Sequence, residues 1–217
     1  MQPLEDSLKF QTWKNAIESN GVELQGYEEL QTVRKPKGDV LFSLLKIKAN
    51  APEGNPVLPI VMLRGAFVTI LTALIDQETG EEFHLLVRQR RVANGALFYE
   101  HPAGMCDGFA DPYEIALIEV EEETGLKISR DQLNLLVPEP IYSSPGLLDE
   151  GGWFFSCRLP MPRTEIDALH LASNGQPGEG EFIHTYVAQP HEVPSLVRNA
   201  SGLLLHFLYQ QYLRKGH

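Results

Sequence analysis

The chain has 217 residues, 43% of them apolar and 22% charged, the balance of an ordinary soluble globular protein with one sizeable core. Its formal charge of −11 gives no general attraction to polyanions, so neither a nucleic-acid polymer nor a membrane is expected as a partner. Two cysteines, Cys106 and Cys157, are too few for a structural zinc site or a disulfide framework; with no signal-peptide pattern and no apolar run near about 18 residues, a cytoplasmic protein is expected.

Residues 1–21 read as a short helix with Leu8, Phe10, Trp13 and Ile17 on its apolar stripe and Asn20-Gly21 as its stop. Two strands are predicted next, over 22–33 and 40–48, with a turn at Lys35-Pro36-Lys37-Gly38-Asp39. This piece has too few apolar residues to fold alone. It must lean on the rest of the chain or on the same piece of a second subunit. The Pro- and Gly-rich stretch 51–59 is the candidate linker, which divides the chain into an extension at 1–58 and a main domain at 59–217.

A long apolar strand is predicted over 64–75, a turn at 76–80 and a returning strand over 82–90, which runs into the basic cluster Arg88-Gln89-Arg90-Arg91. A strand at 97–100 leads to a Gly-containing loop and to a helix from Pro112 that stops at Gly125. Beyond it, 133–137 and 141–142 read as strand, SSPGLLDEGG as a loop, and 153–159 as an aromatic strand. Residues 160–180 lack periodicity and end in the Gly-rich NGQPGEGE; 181–188 is the last predicted strand. A helix over 194–213 is predicted to bury Leu196, Val197, Leu203, Leu204, Phe207, Leu208 and Tyr212.

The acids of the middle helix carry the chemistry. A helix turns about 100° per residue, so from Glu119 the Glu123 side chain lies about 40° to one side and Glu122 about 60° to the other. Three carboxylates on one face repel one another unless a cation neutralises them. Oxygen-only ligands select hard cations, Mg²⁺ or Mn²⁺, over zinc. Helix composition alone favours a plainer alternative, an acidic stripe facing solvent.

The flanking residues turn that preference round, because the stretch resembles the Nudix box. That pattern is Gly, five residues, Glu, seven residues, then Arg-Glu-apolar-any-Glu-Glu-any-Gly-apolar. Gly104 opens it, and Glu119, Val120, Glu122, Glu123, Gly125 and Leu126 fall at its spacings. The lead-in Glu100-His101-Pro102-Ala103-Gly104 is similar to the ADP-ribose and ADP-sugar pyrophosphatase branch, as are Pro138 and Pro140, and Ser144-Pro145-Gly146 followed by Asp149-Glu150. Two positions depart: the first Glu is Ala110, with Asp107 and Asp111 nearby, and the Arg before Glu119 is Ile118. In the family that Arg orients a box carboxylate through a charge-assisted hydrogen bond, which Ile118 cannot make.

The resemblance implies an α/β fold, the Nudix α/β/α sandwich with a mixed sheet, carrying a small N-terminal helix and β appendage that dimerises. It implies Mg²⁺- (or Mn²⁺-) dependent hydrolysis of a small-molecule nucleoside diphosphate derivative, a nucleotide sugar such as ADP-ribose, to a nucleoside monophosphate and a sugar phosphate. The Ala103 carbonyl, Glu119, Glu122 and Glu123 would hold the metals, Glu122 also counting among the catalytic groups. Glu179 in the late Gly-rich loop would be the general base, with Glu181 second. Arg91 and Arg88 would contact phosphate or ribose beside Glu100; for both arginines a solvated strand end is the alternative, and for Glu179 a solvated acid. Ala110 and Ile118 motivate a competing reading, a weakened domain that binds or senses a nucleotide sugar. The two cysteines read as small buried residues, and His84, His101, His170, His184 and His191 show no metal-ligand spacing, although His101 takes a slot that is usually apolar in the branch.

Overall fold

The computed structural model describes residues 3–36, 38–107, 111–174 and 183–216. The chain forms two compact units, Met1–Ala66 with Ile141–Gly151, and Phe67–Pro140 with Gly152–His217.

In the first unit, helix α1 (Leu8–Ser19) starts where the Ser7 hydroxyl accepts the Phe10 N–H, which satisfies one of the orphan donors of a helix start. Phe10 and Trp13 are buried together with Leu4, and Ile17 packs beside them. Leu8 is 53% exposed, contrary to the predicted stripe. It stands two residues, about 200°, from Phe10 and so falls on the opposite face. Strands β1 (Glu23–Arg34), β2 (Val40–Asn50) and β3 (Ile60–Leu63) form one antiparallel sheet in that order. Strand β3 begins just after the stretch read as linker and brings the fully buried Leu63 into the same small core as Leu45. The segment 141–151 is tied to its end. The Asp149 carboxylate accepts the backbone N–H groups of Arg64 and Gly65 at 2.6 and 3.0 Å, and the Arg64 guanidinium pairs with Glu150.

The second unit contains β4 (Phe67–Asp76), β5 (Glu82–Arg90), β6 (Leu97–Glu100), β7 (Ala103–Met105), α2 (Pro112–Thr124) and β8 (Leu133–Leu135). After the short strand β9 (Ile141–Tyr142) of the first unit, it resumes with β10 (Gly151–Met161, from Gly152 on), α3 (Arg163–Ala168), β11 (Ser173–Asn174), β12 (Ile183–Ala188), α4 (Val193–Leu196) and α5 (Ala200–Arg214). The sheet runs β11-β12-β5-β4-β10-β8, with β6 beside β5 and β7 beside β4. It is mixed: β4 and β10 are parallel from Phe67 opposite Gly152 to Asp76 opposite Met161, while β4 and β5 are antiparallel.

Side chains alternate across a strand, and the two faces have different covers. Val68, Ile70, Leu74, Phe83 and Leu85 pack under Ile115, Ala116 and Val120 of α2 and Ile166 of α3. Leu86 faces the other way, onto Val193 and Val197, and His84 meets His206 and Tyr209 of α5.

Two expectations need correction. Helix α3 forms inside the stretch read as aperiodic, because Ile166 is fully buried and Arg163 pairs with Asp167 one turn on while lying 4.6 Å over the Phe83 ring. The final helix is broken at 197–199, where Val197 and Asn199 are extended. The break resets the helical phase. Gly202, Leu205, His206 and Tyr209 are the buried residues of α5, and Phe207 is exposed.

Candidate active site

Local chemistry fixes α2 at both ends. The Asp111 side chain accepts the Tyr113 N–H at 3.0 Å, Pro112 occupies the first helical position, and Gly125 closes the helix in the left-handed region at φ 75°. Burial of Ile115, Ala116 and Val120 against the sheet then sets where the acids stand. Glu123 is buried, and its Oε2 accepts the Ala103 N–H at 3.0 Å. Glu119 is half-buried and laid against Gly104 so closely that a Cβ there would overlap its carboxylate. Glu122 is exposed. Strand β7 holds the loop side in place: Ala103 and Gly104 pair with Thr69 and Val68, and the Ile70 N–H donates to the Pro102 carbonyl at 2.8 Å. The box glycine thus has a steric reason.

Arg91 and Glu100 are also brought together. Glu100 is 6% exposed and accepts Arg91 Nε at 3.1 Å and Nη2 at 2.6 Å, a forked charge-assisted pair. Arg88 does not join them. It stands opposite Tyr99 and His184 in the ladder, and Tyr99 packs with Leu86, Val193 and Val197 on the α4–α5 face. Glu100 stands opposite Val87 and so belongs to the α2 face.

Ile118 is 38% exposed on α2. Asp111, one of the acids near the missing box glutamate, is engaged as helix cap and pairs with Arg130, which lies 4.1 Å over the Tyr113 ring. The hydrogen bond from Arg130, with that from the Tyr113 N–H, holds the Asp111 carboxyl below its usual range. Ala110, Glu179 and Glu181 lie outside the described residues. Cys157 is buried and its thiol is pushed up to about 11 by that burial, which suits the reading of an inert core residue.

A group of histidines on the far face escaped the sequence reading. His84, His101 and His206 are all buried, with ring centroids 6.3 Å apart for the first pair and 5.6 Å for His84 and His206. His84 Nε2 meets Glu82 at 3.1 Å, Arg158 pairs with Glu82 at 3.0 Å, and Arg158 donates to the Tyr209 hydroxyl at 2.8 Å. Burial pushes the Glu82 carboxyl up, but His84 and Arg158 outweigh it and hold the group below its usual range. Burial and the neighbouring imidazoles push His101 well below 6.5. These residues come from β5, the β6–β7 junction and α5, so no linear spacing connects them. The one signal in the sequence was His101 in a slot usually apolar.

Among the described residues no group of three or more His, Cys, Asp or Glu side chains is arranged as a ready metal site. The donor chemistry nevertheless fits a hard cation: Glu119 and Glu123 are both anchored at the Ala103-Gly104 turn, with Glu122 exposed one turn away.

An acidic helix packed on a Gly-containing turn, over one face of a mixed sheet with helices on both sides, defines a class that the comparisons identify. The chain is 31% identical over 226 aligned residues to Nudix hydrolase 14, chloroplastic, from Arabidopsis thaliana, covering 97% of this chain and 72% of that protein. A solved structure described as an ADP compounds hydrolase matches with a TM-score of 0.63 at 16% identity, over 89% of this chain and 95% of that one, a likeness of fold. No protein-family model matches. The chain belongs to the Nudix hydrolase family, and it is an enzyme of the pyrophosphatase class.

Proposed function

We propose that the protein hydrolyses the diphosphate of a nucleotide sugar such as ADP-ribose, with Mg²⁺ or Mn²⁺, to a nucleoside monophosphate and a sugar phosphate. The observation that carries this reading is the pair of anchored carboxylates at one turn, Glu119 against Gly104 and Glu123 on the Ala103 N–H. The plant relative's name supports hydrolysis in general, and the structural neighbour's title supports an ADP-containing substrate.

Glu119, Glu122, Glu123 and the Ala103 carbonyl would hold the cation. When bound, it neutralises diphosphate charge and lowers the pKa of an attacking water. The Ala103 N–H, donated to Glu123 at 3.0 Å, helps to orient that carboxylate. Arg91 presents its guanidinium to a phosphate oxygen, and Glu100 is the positioning residue that fixes its plane. Arg88 has no part in this face. Glu179, with Glu181 second, is assigned as base on the family resemblance alone. Dimerisation through residues 1–58 fits the edge position of β1 and the exposed Leu30 and Leu41 of its hairpin; sedimentation showing an active monomer would overturn it. Among the described residues no helix is long and apolar enough to cross a membrane. The cytoplasm remains the proposed location, while the plant relative is named chloroplastic.

The test is incubation with ADP-ribose, ADP-glucose and UDP-glucose in Mg²⁺, with the products identified. Release of a nucleoside monophosphate from at least one is expected, and no monoester from any of them overturns the reading. The competing reading, binding without turnover, is favoured by the exposed aliphatic Ile118 where the family has Arg. It requires thermal stabilisation by a nucleotide sugar in the absence of any product.

A further inference from the structure

Beside α5, away from the α2 glutamates, lies a cleft of about 540 Å³, a volume typical of small-molecule sites. Pro190, Pro194 and Phe207 form its apolar wall, and the Phe207 ring is 54% exposed. Gln210 and Arg214 supply polar groups at one side. The exposed Arg214 guanidinium meets no carboxylate among the described residues, whereas those of Arg64, Arg91, Arg130, Arg158 and Arg163 each do. His206 lines the cleft too. It is 5% exposed, and its Nδ1 is buried without a partner. That nitrogen is closed to solvent, so the contacts open to a ligand in the cleft are those of Phe207, Gln210 and Arg214.

We infer that this cleft binds a small aromatic anion, a flat ring bearing a phosphate or carboxylate. The ring lies on Phe207 between the prolines, where face or edge contacts with an aromatic are favourable. The acid group meets the Arg214 fork, whose geometry suits either oxyanion. Charge complementarity selects this occupant: on a chain of net charge −11, a guanidinium with no carboxylate partner among the described residues, beside an apolar wall, is a local site for a negative group attached to an apolar body. Neutral apolar molecules would leave Arg214 unmatched, and inorganic anions would leave the Phe207 wall uncovered. The inference does not rest on the proposed hydrolysis, because the simplest such ligand, phenyl phosphate, contains no phosphoanhydride.

The experiment is an NMR titration of the full isotope-labelled chain, without metal, using phenyl phosphate, benzoate and inorganic phosphate in turn. Saturable shifts in α5 and around Pro190–Pro194 are expected from either aromatic anion, and none there from inorganic phosphate. Phe207→Ala and Arg214→Gln should each weaken binding about tenfold, the effect of one lost contact of this kind. Arg91→Gln, which removes the anion contact of the α2 face, should leave it unchanged. The inference is overturned by shifts confined to the α2 face, by loss of binding in Arg91→Gln alone, or by equal binding of inorganic phosphate. The parent chain failing to respond to either aromatic anion overturns it as well.

Discussion

Helix α2 and helix α5 cover opposite faces of one sheet, and they handle polar groups differently. Helix α2 keeps its acids beside a turn only about a score of residues away in sequence; the Ala103–Glu123 bond spans 20 positions. Helix α5 buries His206 and Tyr209 in a network with His84, Glu82 and Arg158, and the Arg158–Tyr209 bond spans 51 positions. The first arrangement leaves Glu122 exposed and Glu119 half-covered. The second is closed and structural, apart from the cleft beside His206. On the proposed reading the α2 face serves the chemistry, and the α5 face holds the sheet.

If that contrast is right, changes on the two faces should separate activity from stability. The largest effect belongs to Glu119→Gln, for which kcat/KM should fall by on the order of 100-fold or more, beyond the 10–100-fold typical of losing an outer-sphere partner. Its Tm should barely move, which calorimetry checks. Gly104→Ala comes next. Its Cβ would overlap the Glu119 carboxylate, so overpacking of about 1–3 kcal/mol is expected together with lost turnover. On the other face Gly202→Ala should cost a similar ~1–3 kcal/mol in denaturant melts, because its Cβ would stand 2.6 Å from Asn199 Oδ1 and 2.8 Å from Val197 Cγ1. Turnover by the folded variant should persist. An activity loss in Gly202→Ala matching that of Gly104→Ala would erase the distinction between the faces.

Tyr209→Phe removes the hydroxyl that accepts from Arg158 and should cost about 1–2 kcal/mol, again without a change in kcat. The smallest effect is in pH. Burial, then the neighbouring His84, lowers the His206 pKa below 6.5 in the folded chain. Below about pH 6.5 the unfolded chain takes up that proton before the native chain does, so stability should fall as pH drops through this window. Glu82 remains a carboxylate there, its own pKa being held low. Melting curves at pH 7.5 and 5.5 should show the decline, and His206→Gln should lessen it while the still more depressed His101 sustains the rest.

How much of this was legible in the sequence follows the same division. The bounds of α2 were readable because its stop and start signals are local: Asp111-Pro112 at one end and Gly125 at the other. The shared face of Glu119, Glu122 and Glu123 followed from helical geometry, and the box spacing tied it to Gly104. The last helix was read as continuous from 194, six residues before α5 starts at Ala200, because the apolar spacing resumes beyond the extended turn at 197–199. The histidine cluster was invisible for a related reason, since its members meet only when β5, the β6–β7 junction and α5 are assembled. The side of the sheet taken by Arg88 required the register of β5 with β6, which no single strand reveals.

The most direct test compares the parent chain and Glu123→Gln under single-turnover conditions with ADP-ribose and saturating Mg²⁺, following phosphorus resonances. AMP and ribose 5-phosphate should appear with the parent and be nearly absent with the folded variant. Equal product from both would contradict the assignment of hydrolysis to the carboxylates of α2.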